Sequence, residues 1–543
     1  MKSTNLFSTK NILLLLLAFI SNILMSPKWT IALAAWVYYT VLLRFYRDNN
    51  WKGFLWAIPV LSLSSIIGQL GVIPMDAITV SVMMFIGTSI GLLPFILDKI
   101  TYKRLPDWAA TLLLPAVYTT FSYLMDQGPQ GTWGNAAYTQ FTYLPLMQLA
   151  SITGIYGVNF LMLWFASFAN YCYEKTRQNE QLHALSYAMP LSLITALAFG
   201  YYQLNTTSNT VGNTEMATIT MENTESMKKM YELETGNAID IPKYVSQSDP
   251  ILAELQKGMT AFMATPDAEK FTPVYESFDH ILEKYSQATR AAVDKGAKIV
   301  TWSEAAIINI KAREALYQQK AAALADELDI YLFFPTAVFH PEKVGTAPLF
   351  IENKVLTFAP DGQLVNTYFK NIPVMGVEPS FPGDGLIPII ETPYGNLSPI
   401  ICYDADHPQL IAQISNQATD MLVVPTGDWK AISPYHTHMA AVRCIENGVS
   451  MLKATSNGLS AMIDDKGRIL ANYDYFDDSE IKMIVQKMPV QSSETNYANT
   501  GPLFINFLFG LASLLLLLAT FQYFSQLVQR KKVNAQIAFS TNE

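Results

Sequence analysis

Long apolar runs, each able to cross a bilayer as a helix, dominate the first 204 residues of this 543-residue chain. A hydrocarbon core of about 30 Å requires roughly 20 consecutive, mostly apolar residues in a helix. A further run follows near the C-terminus, and the 205–500 region between them has ordinary globular composition. We therefore predict a multi-pass α-helical membrane bundle of eight spans, at residues 11–27, 29–45, 54–73, 77–97, 107–125, 143–173, 184–204 and 503–527.

Basic residues are concentrated in alternate loops between these spans. They are Lys2, Lys10, Arg44, Arg47, Lys52, Lys99, Lys103, Arg104, Lys175, Arg177, Arg530, Lys531 and Lys532, and the other short loops carry only Lys28. Loops rich in Lys and Arg stay in the cytoplasm. We therefore predict cytoplasmic termini, seven membrane helices in 1–204, an extracytoplasmic domain in 205–500, and the eighth helix with a cytoplasmic tail in 501–543.

Charge and cysteine content exclude two classes of protein. The formal net charge is −9 and no stretch forms a basic stripe, which argues against nucleic acid as a partner. The three cysteines give no sign of a disulfide framework.

Helices and strands alternate in the 205–500 region, which is typical of a layered α/β domain with a mixed sheet. A first strand, 215–221, precedes a polar insertion with weak helices near 224–270. We then predict helices at 278–295, 311–328, 408–417 and 435–447. We predict strands at 298–302, 330–334, 349–358, 363–369, 386–391, 397–402, 421–424 and 449–454, and a last hairpin around 464–467.

Two loops on the predicted outer side have features of their own. The loop 126–143 combines turn-forming residues with aromatics that suit a membrane interface. Gly154 and Gly157 interrupt the sixth apolar run. They either allow close helix packing through small residues or form the mouth of a cavity open to lipid.

Three reactive side chains follow buried strands of the α/β domain: Glu304, Lys370 and Cys402. Together they could perform acyl transfer, in which the carboxylate takes the thiol proton, the thiolate attacks an acyl carbon, and the ammonium stabilises the oxyanion. Each also has a structural alternative. Glu304 could cap a helix, Lys370 could lie on an exposed edge, and Cys402 could be an inert core thiol. Spacing alone does not choose between these.

The motifs around these residues resemble those of the nitrilase, or carbon-nitrogen hydrolase, superfamily in their order. They are Trp-Ser-Glu-Ala-Ala-Ile (302–307), Tyr-Phe-Lys (368–370) and Ile-Cys-Tyr-Asp (401–404). The segments 436–447, 454–460 and 144–161 resemble one branch specifically, the apolipoprotein N-acyltransferases. This resemblance implies a nitrilase-like α-β-β-α sandwich inserted between the seventh and eighth membrane helices, in a bacterial cytoplasmic membrane.

The resemblance also implies roles for individual residues. Glu304 would be the general base, Lys370 the oxyanion stabiliser and Cys402 the nucleophile. Glu378 would support the site, and Trp429 would lie at its entrance. The implied reaction moves an acyl chain from a phospholipid through a Cys402 thioester to the α-amine of a diacylglyceryl-cysteine at a lipoprotein N-terminus, without a cofactor.

Two features leave the substrate open. Asp404 stands where the family usually has Glu, two residues after the nucleophile, and could re-aim a contact to the acceptor amine. The insertion near 224–270 is also atypical. An acyltransferase for a different amine, a membrane-bound amidase, and a catalytically inactive lipid-binding scaffold are therefore the alternatives.

The remaining polar and sulfur-containing residues have structural interpretations. His436 and His438 lack an accompanying Cys, His and carboxylate set with ligand spacing, so we predict no metal and count His436 among the supporting residues. Cys172 and Cys444 are expected to pack in the interior, and Arg443 is expected to pair with Glu446.

Overall fold

The structure is a computed structural model, and it describes residues 8–222, 224–242, 249–477, 479, 482–501 and 503–540. Lys2 of the predicted topology, parts of the 224–270 insertion and residues 541–543 of the tail lie outside the described residues.

The region before residue 206 is helical. Apolar residues at helical spacing bury one face of each helix against its neighbours and form a continuous core. The helices are α1 (Thr9–Leu24), α2 (Ala32–Asp48), α3 (Trp51–Gln69), α4 (Ala77–Gly91), α5 (Leu93–Thr101), α6 (Asp107–Asp126), α7 (Leu144–Met147), α8 (Ala150–Thr153), α9 (Ile155–Gln178) and α10 (Ala188–Asn205).

Fewer helices than eight are long and apolar enough to cross a membrane. Within the described residues there are four, Trp51–Gln69, Ala77–Arg104, Ala184–Asn205 and Leu503–Lys531, or five if the bent pair Leu144–Thr153 and Ile155–Gln178 counts as one span. The pair bends by 117°. Helix α1 has only 16 residues, and α2 carries Arg44, Arg47 and Asp48 in its last turns. The predicted count of eight is therefore not confirmed by helix length and composition.

Large apolar side chains point away from the protein along these helices. Ile78 is 77% exposed on α4, Leu191 is 64% exposed on α10, and Phe521 is 72% exposed on the last helix. Such a contiguous apolar exterior is stable only in an apolar solvent. The outer surface of this bundle therefore has the character of a lipid-facing one.

Charged residues gather at one end of the bundle. Arg47 pairs with Asp98, with Nη2 and Oδ1 2.9 Å apart, and Arg44 pairs with Glu174 at the same distance. Arg104 lies over the Tyr523 ring. These are the loops that the sequence places in the cytoplasm, and the α/β domain contacts the bundle at its other end.

Two sheets form the α/β part of the chain. Their strands are β1 (Asn209–Thr220), β2 (Ile299–Trp302), β3 (Ile307–Ile310), β4 (Tyr331–Phe339), β5 (Ile351–Phe358), β6 (Leu364–Phe369), β7 (Ile390–Thr392), β8 (Gly395–Pro399), β9 (Met421–Gly427), β10 (Ser450–Ser456), β11 (Leu459–Ile463), β12 (Ile469–Asp474) and β13 (Lys482–Ser492). One sheet has the order β13-β1-β2-β4-β5-β6, with β3 paired to β4, and the other has the order β12-β11-β10-β9-β8-β7.

Helices cover the outer faces of the two sheets. The helices after residue 206 are α11 (Glu225–Thr235), α12 (Pro250–Ala264), α13 (Thr272–Val293), α14 (Glu314–Leu328), α15 (Pro408–Ile411), α16 (Tyr435–Asn447), α17 (Asn496–Thr500) and α18 (Leu503–Ser540). Helices α13 and α14 pack on the first sheet, and α16 packs on the second. The domain is thus an α/β sandwich with a mixed sheet in each layer, as the resemblance implies.

Strand β13 was not predicted from the sequence. It runs antiparallel to β1 from Asn209 opposite Ser492 to Thr220 opposite Lys482. Its half-exposed residues and Pro489 hide the alternation that marks a strand. The helix predicted at 408–417 is also shorter, because α15 gives way to a 3-10 turn at Ala412.

Hydrogen bonds join the α/β part to the membrane helices. Thr132 donates from its backbone N–H to the carbonyl of Asp406 at 2.9 Å, and Ile155 donates its N–H to the Glu446 carboxylate at 3.0 Å. A Cβ at Gly154 would lie 2.7 Å from the Tyr497 ring. The break in the sixth run therefore serves close packing, which is the first of the two interpretations above.

Candidate active site

The three predicted reactive residues lie at one edge of the two facing sheets. Glu304 follows β2, Lys370 follows β6, and Cys402 follows β8 after two residues. Strands β2 and β4 are parallel, while β5 is antiparallel to both β4 and β6, so β2 and β6 end at the same edge. The structure thus brings together side chains that are far apart in the sequence.

The Glu304 carboxylate is held by three donors. Its Oε1 accepts hydrogen bonds from Lys370 Nζ at 2.9 Å and from Asn353 Nδ2 at 2.7 Å. Its Oε2 accepts the backbone N–H of Gly427 at 2.8 Å. Only 9% of the residue is exposed. The carboxylate is therefore fixed in the interior and does not cap a helix.

Lys370 is fully buried between two glutamates. Its Nζ donates to Glu304 and also to Glu378 Oε1, at 2.6 Å. Burial by itself lowers the pKa of Lys370, but the two carboxylates raise that pKa well above its ordinary value. Lys370 is thus a permanent cation inside the site rather than a residue of an exposed edge.

Cys402 occupies a strained backbone position. Its φ is +48°, in the left-handed region that few side chains adopt, and it begins the 3-10 turn Cys402–Asp406. Its Sγ lies 3.7 Å from the Gly427 carbonyl oxygen. Strain of this kind persists where the surroundings over-determine it, and it often accompanies functional sites.

The resting thiol is neutral. Burial, followed by the nearby Glu304 carboxylate, raises the pKa of Cys402 well above its ordinary value, and Lys370 opposes that rise. The thiol therefore needs a base at the moment of reaction. Among the described residues, Glu304 is the carboxylate with the strongest influence on this thiol.

Asp404 has no free oxygen for a substrate. Its Oδ1 accepts the N–H of Ile372 at 2.8 Å, and its Oδ2 accepts the Tyr368 hydroxyl at 2.7 Å and the N–H of Ile401 at 3.0 Å. Burial raises the pKa of Asp404 to about 6. These hydrogen bonds hold the turn after Cys402 against the end of β6.

A second charged group lies beside Cys402, built from His436 and two aspartates. His436 Nδ1 is 2.6 Å from Asp428 Oδ1, and its Nε2 is 3.2 Å from Asp406 Oδ1. Burial alone would lower the pKa of His436, but the two carboxylates raise it to about 9. At neutral pH the ring is therefore a buried imidazolium.

Cys402, Asp428 and His436 each offer one ligand atom, and these atoms lie within 4.8 Å of one another. Cys, Asp and His are donors that Zn²⁺ accepts. A metal would have to displace the proton that the two aspartates hold on His436. The expectation that the site uses no metal stays a prediction.

A cavity of about 200 Å³ opens beside Cys402 between the α/β domain and the membrane helices. Its lining is mostly apolar, and the helical region contributes Val72, Ile73, Pro74, Met75, Met83, Pro129, Gln130 and Trp133. Trp429 lies in its wall and donates its indole N–H to the Val72 carbonyl at 3.0 Å. Glu378 and His436 line the same space. An apolar chain entering from the bundle would reach the sulfur.

Two residues of the site escaped the sequence analysis. Asn353, in the middle of β5, carries no motif around it, although it donates to the Glu304 carboxylate. Asp428 lies in the Gly-Asp-Trp segment (427–429), of which only Trp429 was predicted to belong to the site. In both cases the function of the residue depends on a neighbour that the chain brings in from elsewhere.

Comparison with known families gives two matches along the chain. The carbon-nitrogen hydrolase family matches residues 264–492, and the apolipoprotein N-acyltransferase N-terminal domain matches residues 13–168. Strand β1 and helix α11 lie outside both matches.

Individual relatives extend this similarity over most of the chain. An apolipoprotein N-acyltransferase of Borreliella burgdorferi is 24% identical over 462 residues, which cover 78% of each protein. One of Shewanella oneidensis is 25% identical over 430 residues, covering 73% of this chain and 71% of that protein. A solved amidase from Nesterenkonia sp. aligns with 42% of this chain and 89% of its own, with 16% identity and a TM-score of 0.34.

Proposed function

We propose that this chain, a member of the apolipoprotein N-acyltransferase family of the nitrilase superfamily, transfers a fatty acyl chain from a phospholipid to the α-amine of an N-terminal diacylglyceryl-cysteine on lipoproteins. One observation supports this most strongly. A buried Glu, Lys and Cys set opens through Cys402 onto an apolar cavity whose other wall comes from the helical region. A lipid substrate requires such access, whereas a small amide does not.

In the first half-reaction, Glu304 takes the proton of the Cys402 thiol, and the thiolate attacks the ester carbonyl of the phospholipid. Lys370 stabilises the oxyanion that forms. The C–O bond then breaks, and Glu304 returns its proton to the departing alkoxide of the lysophospholipid. The acyl chain remains on Cys402 as a thioester.

In the second half-reaction, the acceptor amine attacks the thioester carbonyl. A C–N bond forms, the C–S bond breaks, and Cys402 leaves as the thiol. Glu304 accepts a proton from the attacking nitrogen and passes a proton to the departing sulfur, and Lys370 again stabilises the oxyanion. The same three residues thus serve both halves, and no cofactor enters.

The supporting residues follow from their contacts. Glu378 shares Lys370 with Glu304 and keeps the ammonium in place. Trp429 ties the loop after β9 to the helical region at the cavity wall. Asp404 fixes the turn after the nucleophile.

The membrane arrangement is part of the same proposal. We infer a bacterial cytoplasmic-membrane enzyme with seven helices in 1–204, a catalytic domain in 205–500 on the extracytoplasmic side, and an eighth helix and tail in 501–543. The separation of the charged loops from the catalytic end of the bundle supports this orientation.

Mass spectrometry of the intact protein after incubation with phospholipid vesicles tests the proposal. We expect an adduct of one fatty acyl chain that maps to Cys402, is removed by hydroxylamine and is absent from Cys402→Ala. A diacylglyceryl-cysteinyl peptide should then discharge the adduct and gain the acyl chain. Release of ammonia from small amides without any lipid adduct would instead identify an amidase.

A further inference from the structure

Asp428 is a buried carboxylate whose one hydrogen-bonding side chain, among the described residues, is His436. The residue is 5% exposed, and its Oδ1 pairs with His436. Its Oδ2 has no hydrogen-bond donor among the residues that the structure describes. An ionised oxygen buried without a partner is costly, so this position needs either a ligand or another reason to persist.

The Asp428 carboxylate lies beside the space in which a substrate group would react with Cys402. Asp428 lines the Cys402 cavity, and one of its oxygens lies within 4.8 Å of the sulfur. The position is also shaped by its surroundings, because a Cβ at Gly458 would lie 2.7 Å from Asp428 Oδ2. Any side chain there would push the carboxylate out of place.

Asp428 does not help to activate the nucleophile. A negative charge at this distance makes the thiolate less favourable, and it adds to the effect of Glu304. The carboxylates near the sulfur are Glu304, Glu378 and Asp428, and they outnumber the cations Lys370 and His436. The pocket therefore favours the arrival of a cation.

Asp404, two residues after Cys402, is not available for that task. Both oxygens of Asp404 are used by Ile372, Ile401 and Tyr368. Glu378 also lines the cavity and has an Oε2 without a donor, but its Oε1 is held by the Lys370 ammonium and its side chain is 24% exposed. Asp428 is the more deeply buried of the two carboxylates, at 5% exposed.

We propose that Asp428 binds the primary ammonium group of a substrate beside the Cys402 thioester, and that His436 is a positioning residue that orients this carboxylate. The inference rests on the proposed function. The ammonium is the α-ammonium of the acceptor or the headgroup of an amine-bearing phospholipid donor, since both present the same chemistry.

The three protons of the ammonium group can all be accounted for when this group belongs to the acyl acceptor. The ammonium bound to Asp428 gives one proton to Glu304 and becomes an amine. Its nitrogen attacks the thioester carbonyl, the C–N bond forms and the C–S bond breaks. The second nitrogen proton goes to the departing sulfur, and the third stays on the amide. Glu304 finally releases its proton to solvent.

The test separates the two half-reactions in the full-length protein. Wild type and Asp428→Asn are loaded with acyl chain from phosphatidylglycerol vesicles, whose headgroup has no amine, and the Cys402 adduct is measured by intact mass. The adduct is then discharged at about pH 7 with a diacylglyceryl-cysteinyl peptide, whose α-amine is mostly charged at that pH. Hydroxylamine, an uncharged nucleophile at that pH, is the comparison.

We expect Asp428→Asn to load normally, to react with hydroxylamine within about twofold of wild type, and to lose about tenfold or more in transfer to the peptide, since a charge-assisted hydrogen bond is removed. Asp428→Glu should recover part of that loss, and His436→Gln should show the same selective defect. A defect confined to loading from phosphatidylethanolamine vesicles would instead assign the site to the donor headgroup.

Equal slowing with both nucleophiles, or peptide transfer at the wild-type rate with loading from both vesicles unchanged, would overturn the assignment of Asp428. Failure of the wild type itself to form an adduct would overturn the proposed function and the assignment with it. Normal loading from phosphatidylglycerol also shows that each variant is folded.

Discussion

Gly427 contacts both the proposed base and the proposed nucleophile through its own backbone atoms. Its N–H donates to Glu304 Oε2 at 2.8 Å, and its carbonyl oxygen lies 3.7 Å from Cys402 Sγ. Glu304 follows a strand of one sheet, whereas Gly427 ends a strand of the other. The distance between base and thiol is therefore set by how the two sheets pack, and not by a flexible loop.

Lys370→Met should abolish acylation of Cys402. The variant removes the cation that would stabilise the oxyanion, a loss of about 10²–10³ or more in rate for one such donor. It also leaves Glu304 and Glu378 buried without their shared partner. The adduct is measured by intact mass on protein that is shown to be folded by thermal unfolding.

Lys354→Met is the matched control for that variant. Lys354 is also a buried lysine between two glutamates, Glu314 and Glu352, but it does not line the Cys402 cavity. We expect its loss to lower stability by about 3–5 kcal/mol, as for a broken buried ion pair, with near-normal acylation of the folded fraction. Equal loss of acylation in both variants would mean that Lys370 acts only through folding.

Glu304→Gln should have opposite effects on two properties of Cys402. Acylation by phospholipid should be lost with the base, yet alkylation by iodoacetamide at neutral pH should become faster. The reason is that the Glu304 charge raises the pKa of the thiol, so its removal increases the thiolate fraction. Peptide mapping distinguishes Cys402 from Cys172 and Cys444.

The wild-type pH profile gives the matching measurement. Because burial and Glu304 raise the thiol pKa, the alkylation rate should climb about tenfold per pH unit through neutral pH without reaching a plateau there. A plateau below about pH 8, with slower alkylation in Glu304→Gln, would show that the thiolate is already formed at rest and contradict the neutral-thiol state.

Asp404→Asn should destabilise the protein without changing which acceptor it uses. An asparagine side chain has only one oxygen that can accept hydrogen bonds. Either the N–H of Ile372, or the N–H of Ile401 together with the Tyr368 hydroxyl, therefore loses its acceptor. Leaving such a buried donor unpaired costs about 1–3 kcal/mol. Unchanged thermal stability combined with a selective loss of amine transfer would instead show that Asp404 contacts the substrate.

Gly131→Ala and Gly134→Ala form a matched pair in the 126–143 loop. Both residues have positive φ, +54° and +80°, so both variants carry the strain of a left-handed backbone, about 1–2 kcal/mol. A Cβ at Gly131 would also lie 2.6 Å from the Asp406 carbonyl oxygen, whereas nothing lies within 4 Å of one at Gly134. We therefore expect only Gly131→Ala to slow Cys402 acylation markedly. Equal acylation rates would show that the loop does not support the nucleophile turn.

Local sequence signals located most of the secondary structure, because they do not depend on distant partners. Strands β2, β5 and β9 begin within a few residues of the predicted positions. Strand β3 was missed because it lasts only four residues and comes directly after the Glu304 turn. Strand β13 was missed because its pairing with β1 joins residues more than 260 positions apart.

The site could be predicted only where a motif marks it. Glu304, Lys370 and Cys402 each end a strand with a distinctive flank, and the structure brings them together. The cluster of Asp406, Asp428 and His436 depends on the distance between a turn, a strand end and a helix. Nothing in the spacing of these three residues encodes that distance, so the imidazolium beside the nucleophile became visible only in three dimensions.

The bond between Glu446 and Ile155 has a consequence for biosynthesis. The first N–H of helix α9 finds its acceptor on a residue that the ribosome adds 291 positions later. Until that segment is made and folded, this end of the helix must rely on water or lipid headgroups for a partner. The end of the bundle that contacts the α/β domain is therefore completed only after residue 446 has been synthesised and has folded against helix α9.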